Sequence, residues 1–188
     1  MSADLSKQLK SMRSSLSMRM RKQWDRDLPL EELVTDRWER AQQLGFGEGT
    51  SIHASSYVYG RPNIGRDVWI GPFTLLDATG GLSIGDGSTI SAGVHIYSHD
   101  TVLRTLSGGQ SPILRSPVVL GTQVYVGPQS VITSGVTVGD LCVIGAQSFV
   151  NRDLPRNTIA VGTPARRIGA VVVHDGEVEL RLDEPGSV

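Results

Sequence analysis

Between Ile52 and Pro155 an aliphatic residue returns at every sixth position, usually followed by glycine, with a small or β-branched residue four places later. IGRDVW from Ile64, IGPFTL from Ile70, IGDGST from Ile84 and ISAGVH from Ile90 form a first run; LGTQVY from Leu120, VGPQSV, ITSGVT, VGDLCV, IGAQSF and VNRDLP form a second. Repetition at a fixed period means one structural unit stacked on copies of itself, a constraint that outranks local propensity. A period of six matches neither the helical repeat nor simple strand alternation, and so many glycines would weaken a helix. It fits a parallel β-helix in which each hexad is a short strand plus a corner.

In that fold the first residue of each hexad (Ile64, Ile70, Ile84, Ile90, Val126, Ile132, Val138, Ile144) points inward. The fifth (Val68, Thr74, Ser88, Val94, Val124, Ser130, Val136, Cys142) sits at a tight corner that admits only small or β-branched groups. Glycine at the second position is expected to supply the backbone angles of the corner. Each buried Ile or Val contributes roughly 1.5–3 kcal/mol relative to exposure, which offsets the ordering of short strands. Aromatic residues make up only 5% of the chain, as a narrow interior requires.

Residues 1–48 differ in composition. Lys7, Lys10, Arg13, Arg19, Arg21, Lys22 and Arg26 against Asp4 and Asp25 make a basic arm, with Leu5, Leu9, Met12 and Leu16 at helical spacing. A second helix is expected from Pro29 to Leu44, its stripe formed by Leu30, Leu33, Val34, Trp38, Ala41 and Leu44. These helices either pack on the end of the prism or on a neighbouring subunit, or attach to an anionic membrane surface. No stretch has the apolar run of a signal peptide or a membrane span. The net charge of −1 gives no reason to expect a nucleic-acid partner, and one cysteine excludes an internal disulfide framework.

Within the repeat region, 49–169, the spacing from Leu76 to Ile84 is two residues too long, and the surplus falls at Gly80-Gly81, as for a bulge at a corner. Residues 100–117 carry no hexad signal, yet Leu120 is in phase with Ile96, so a loop leaves one corner and re-enters in register. Irregular insertions on a rigid scaffold concentrate function. Residues 170–188 begin with a hairpin, Ala170 to Leu182 around Asp175-Gly176, expected to cover the open end; the last residues are expected to be disordered.

The register of hexads resembles the hexapeptide-repeat acyltransferases, and the resemblance covers about Gly49 to Gly169. It implies a left-handed parallel β-helix, an all-β solenoid that is usually a homotrimer; the handedness is inherited from the family and not read from the period. The segment HIYSHDT around His99 resembles the catalytic segment of the sugar and xenobiotic O-acetyltransferases of that family. The reading is therefore a cytoplasmic acetyl-CoA-dependent O-acyltransferase without a metal, acting on a sugar hydroxyl in glycan or polysaccharide synthesis. A sugar amine or another small amine is the alternative acceptor.

His99, at the mouth of the loop, is the expected general base, with Asp100 orienting its ring. His53 and His174 are expected at the surface at the two ends, and His95 at an outward corner. Asp77 and Tyr97, one coil apart once the surplus is allowed for, are expected near His99, where a carboxylate would hold acceptor hydroxyls. Carried over by motif from the family, Tyr125, Pro128, Ala146, Asn151, Arg152, Thr163, Pro164 and Arg166 match donor-contacting positions, the arginines attracting nucleotide phosphates. Tyr125 stands where the family commonly has Trp. Cys142 falls in an inward slot with no cationic neighbour, so transfer through a thiol is disfavoured. The γ-class carbonic anhydrases share the fold and bind zinc through three histidines at trimer interfaces, but His95 and His99 lack their spacing and no third ligand accompanies them. A non-catalytic scaffold has no use for a histidine at a loop mouth.

Overall fold

A computed structural model describes residues 3–183 and forms a solenoid of about six turns. Three walls of parallel strands make it. The first runs through Ser51–Ile52, Trp69–Ile70, Thr89–Ile90, Tyr125–Val126, Val143–Ile144 and Thr158–Val161. The second runs through Tyr57–Gly60, Leu75–Ala78, His95–Ile96, Val131–Ile132 and Phe149–Val150, and the third through Asn63–Ile64, Leu82–Ile84, Val118–Leu120 and Thr137–Val138. One coil is three hexads, so Tyr57 lies opposite Leu75 and Val131 opposite Phe149. Where the two extra residues intervene the offset grows, and Leu75 lies opposite His95. The loop leaves the register intact, since Leu82 pairs with Val118 and Ile84 with Leu120.

The core is the pair of ladders expected from the hexads. The first-position residues from Ile64 to Val150 are buried, as are Val68, Thr74, Ser88, Val94, Val124, Ser130, Val136, Cys142 and Ser148 at the fifth position. The polar members of the fifth-position ladder join successive coils: Ser130 Oγ donates to the Gly145 carbonyl (2.9 Å) and accepts from the Ser148 amide (3.2 Å), and Thr50 and Ser88 do the same for their neighbours. Cys142 Sγ donates to the Pro155 carbonyl (3.0 Å), and burial pushes its thiol up.

The second-position glycines serve a different purpose from the one expected. The left-handed backbone lies at the fourth residue of the regular hexads, as at Asp67 (φ 55°), Gln123 (54°) and Gln147 (57°). Glycine is required at the second position because the next coil passes there: a Cβ on Gly127 would sit 2.5 Å from the Ala146 amide nitrogen.

The N-terminal segment folds as α1 (Ala3–Trp24), α2 (Leu30–Val34) and α3 (Arg37–Gln43). The single helix expected over Pro29 to Leu44 is divided at Thr35-Asp36, because Asp36 Oδ1 accepts the Trp38 and Glu39 amides and caps α3. Leu33, Ala41 and Phe46 are buried, while Val34, Trp38 and Leu44 stay exposed.

His53 is not at the surface. It is 9% exposed, its Nδ1 meets Glu32 Oε2 at 3.0 Å, and its Nε2 lies 3.3 Å from Arg37 Nη1, so it pins α2 and α3 to the first coil. At the other end Arg166–His174 pairs antiparallel with Thr158–Val161 and with Glu177–Leu182 through a turn at Asp175 and Gly176, both at positive φ. The hairpin thus continues the first wall edge to edge. The expectation for the last residues falls on 184–188, outside the described residues.

Candidate functional site

The site is built where the second wall turns toward the third. After Leu75–Ala78 the chain makes its two-residue excursion at Gly80-Gly81, and one coil later His99 begins the loop, followed by α4 (Val102–Leu106). His99–Asp100 pairs antiparallel with Leu114–Arg115, which closes the loop into a stem. Excursion and stem lock together: the Gly80 amide donates to Ser98 Oγ (2.8 Å), and the Val118 amide donates to the Gly81 carbonyl (3.0 Å).

That packing turns Asp77 toward His99. His99 Nδ1 lies 2.5 Å from Asp77 Oδ2, an oxygen that also accepts the Ser98 amide (2.9 Å). The other carboxylate oxygen accepts the amide and hydroxyl of Thr79 at 2.9 and 2.7 Å. Burial pushes the Asp77 carboxyl up, but the bonds from Thr79, Ser98 and His99 outweigh it and hold the group far below the usual carboxylate range. An ionised Asp77 has only acceptors to offer, so Nδ1 carries the ring proton and Nε2 is the basic nitrogen. The His99 side chain is 33% exposed, and no hydrogen bond reaches its Nε2 among the described residues.

Two expectations change accordingly. The carboxylate that meets the ring belongs to Asp77 and not to Asp100, whose Oδ1 accepts the Val102 amide (2.6 Å) at the start of α4. Asp77, expected to hold an acceptor, is fully buried with both oxygens occupied inside the chain. Thr79 and Ser98 were not singled out from sequence. Their signal was available: Asp77, Thr79 and the Gly80-Gly81 surplus form one turn, and the longer coil puts Asp77 beside Tyr97, two residues before His99. Tyr97 is half-buried beside this site, with its hydroxyl 3.2 Å from His95 Nδ1. His95 and His99 therefore take different partners, and no group of three His, Cys, Asp or Glu suited to a metal occurs among the described residues.

Six of the eight residues matched by motif to donor contacts fall on two edges. Pro128, Ala146, Thr163 and Pro164 line the edge between the first and second walls, where the Gln147 amide donates to the Pro128 carbonyl (2.9 Å) and Thr163 Oγ1 to the Gln147 carbonyl (3.0 Å). Asn151 and Arg152 follow Phe149–Val150 and stand exposed on the His99 edge, two coils further on. Tyr125 faces outward from the first wall, 44% exposed, and Arg166, exposed, opens the terminal hairpin. The second wall separates the two groups. Within one chain they do not form a single groove.

Comparison with known proteins agrees with this architecture. Residues 117–152 match the bacterial transferase hexapeptide family (six repeats), and residues 63–98 match the hexapeptide repeat of succinyl-transferase. Galactoside O-acetyltransferase of Escherichia coli is 32% identical over 125 residues, covering 65% of this chain and 56% of the relative. A hexapeptide-repeat acetyltransferase from Vibrio cholerae superposes with a TM-score of 0.65 at 25% identity, over 90% of this chain and 93% of that one. AntD, an N-acyltransferase of Bacillus cereus solved with dTDP and 3-hydroxybutyryl-CoA, shares the fold with a TM-score of 0.61 at 23% identity, over 72% and 90% of the two chains. The chain spans about half the length of the curated relatives it matches, 56% and 54% for the first two. Two stretches of the chain, one on each side of the loop, thus match hexapeptide repeats of transferases.

Proposed function

We propose that this chain transfers an acetyl group from acetyl-CoA to a hydroxyl of a sugar, with His99 as general base and Asp77 as the residue that positions it. The supporting observation is the 2.5 Å contact between Asp77 and His99 Nδ1, which leaves Nε2 as the nitrogen able to accept a proton at the loop mouth. Acetyl-CoA supplies an acyl thioester whose carbonyl carbon joins the acceptor oxygen as the C–S bond breaks. His99 Nε2 takes the hydroxyl proton as the oxygen attacks and gives it to the departing sulfur, a contribution of about 10²–10⁴ in rate. Asp77 fixes the tautomer and stabilises the imidazolium between the two transfers. Cys142, buried and with its thiol pushed up, takes no part.

The two-edge distribution of donor-matched residues fits a homotrimer. The second wall presents Tyr57, Leu75, His95, Val131 and Phe149 in one outward column, the face most suited to a threefold axis. With that wall inward, the Pro128–Ala146–Thr163 edge of one protomer stands beside the His99 and Arg152 edge of the next. The small residues of the first edge leave room for an extended pantetheine arm, and Arg152 and Arg166 supply charge for its phosphates. Tyr97 is the residue of this chain placed to meet the acceptor. An amine is the second reading, favoured by the fold likeness to AntD; Nε2 would serve it in the same way.

The test is acetyl-CoA turnover by the purified chain with activated sugars and amino sugars, followed by thiol release. Products are then treated with hydroxylamine, which cleaves an O-acetyl ester and spares an amide. Thiol release with a sugar, abolished by His99→Ala, is expected. Absence of both turnover and calorimetric acetyl-CoA binding would falsify the proposal.

A further inference from the structure

α1 carries six bases, Lys7, Lys10, Arg13, Arg19, Arg21 and Lys22, against Asp4, a net +5 on a chain whose total is −1; the remainder of the chain is therefore −6. Leu9, Met12 and Leu16 form a narrow apolar seam along it, with Leu9 38% and Met12 42% exposed. The last turns of α1, at Met20, Gln23 and Trp24, lie over Leu33 and Val34 around a cavity of about 440 Å³. Leu9 and Met12, toward the middle of the helix, are exposed, and Leu16 is half-buried.

The complementary surface lies on α3 and the first coil. Asp36, Glu39 and Glu48 line a groove of about 700 Å³ with Trp38, Gln42 and Phe46, and no Lys or Arg is among its lining residues. Trp38 is 49% exposed and Phe46 forms a buried floor. An apolar floor with acidic rims is what a basic helix with a narrow apolar seam requires. Two α1 helices paired with each other would instead bring two charges of +5 together and place Arg19 near the seam.

We propose that α1 of one copy of this chain lies in the Trp38 groove of a second copy, with Leu9, Met12 and Leu16 toward Trp38 and Phe46, and Lys10 and Arg13 toward Glu39 and Glu48. The contact joins copies through the N-terminal segment and rests on charge and packing alone, not on the acyl-transfer reading. The occupant is a second copy because both halves of the contact are present on this chain, whereas a bilayer would engage the helix and leave the acidic groove open.

The test uses two differently tagged full-length chains produced together, one with Met12→Cys and the other with Gln42→Cys; the native Cys142 is buried. Oxidation is expected to give a mixed disulfide between the two tags as the main product. Adding Glu39→Lys and Glu48→Lys to the second chain should remove at least about nine-tenths of it, a tenfold loss for about 1.4 kcal/mol. Adding Lys10→Glu and Arg13→Glu to the first chain should then restore it. The proposal is overturned if no mixed disulfide forms while both variants keep the parent circular dichroism and melting. It is also overturned if Met12→Cys chains link mainly to each other, or if phosphatidylserine vesicles float the parent chain and suppress the disulfide.

Discussion

Asp77 and His99 are 22 residues apart in sequence and 2.5 Å apart at their side chains, held across consecutive coils by a turn that the hexad pattern alone does not contain. If this contact sets the tautomer, replacements should separate by role. His99→Ala is expected to lower turnover of the acetyl acceptor by about 10²–10⁴ with melting unchanged. In Asp77→Asn an amide facing Nδ1 donates where the carboxylate accepted, which drives the ring proton onto Nε2; kcat should fall on the order of 10²-fold or more with little change in KM. Asp100→Asn should leave turnover close to the parent, because Asp100 serves the Val102 amide. Equal losses from the Asp77 and Asp100 variants would contradict the arrangement.

The hexad LGTQVY carries its own paired test. Gln123 stands at φ 54°, a conformation that costs most residues roughly 1 kcal/mol and glycine nearly nothing, so Gln123→Gly should raise the denaturation midpoint or leave it level. Two residues earlier, a Cβ on Gly121 would lie 2.7 Å from the Asp140 amide nitrogen, so Gly121→Ala should destabilise by about 1–3 kcal/mol. Urea melts of the two variants decide it. Opposite signs from those expected would mean that neither the left-handed angle at Gln123 nor the coil passing Gly121 governs these positions.

That reversal marks where sequence reasoning stops. The period of six gave walls, register, inward ladders and the in-phase loop, because each depends on spacing that a string of residues displays directly. It did not say why glycine recurs after Ile, since contact between coils depends on backbone separation. The position of His99 at the loop mouth was legible. Its partner was not, because Asp77 reaches it only after Gly80-Gly81 re-aims the turn, and an Asp before two glycines reads equally well as a turn residue. His53 was misjudged for a related reason: its burial depends on Glu32, 21 residues earlier in a helix whose division at Asp36 no hydrophobic stripe announces.

Thr74 offers a test of the fifth-position ladder. Its Oγ1 is buried without a hydrogen-bond partner among the described residues, while Ser130 in the equivalent slot makes two bonds. Removing an unsatisfied hydroxyl relieves a desolvation cost of about 1–3 kcal/mol, so Thr74→Val should stabilise the fold. Ser130→Ala should destabilise it by about 1–2 kcal/mol, since the Gly145 carbonyl and Ser148 amide both lose a partner. Thermal melts that place both variants on the same side of the parent would refute this account of the ladder.

The Glu32–His53 contact predicts a pH response in the attachment of the N-terminal helices. Burial pushes His53 below the ordinary imidazole value, and the charge of Glu32 only partly restores it, so the ring is neutral, donating through Nδ1 to Glu32 and accepting at Nε2 from Arg37. Because the folded value lies below the unfolded one, near 6.5, the unfolded chain binds more protons between them and stability rises with pH across that window. The contribution is complete above about pH 7 and is lost as the pH falls from about 6.5 toward the folded value. Exchange of the Ser55 amide, which donates to Glu32 Oε1 (3.1 Å), should quicken in that window before the coil amides respond. His53→Gln should lower stability at pH 8 by roughly 1–3 kcal/mol and flatten the slope between about pH 5 and 7 relative to the parent. A slope that survives the substitution would place the titrating group elsewhere.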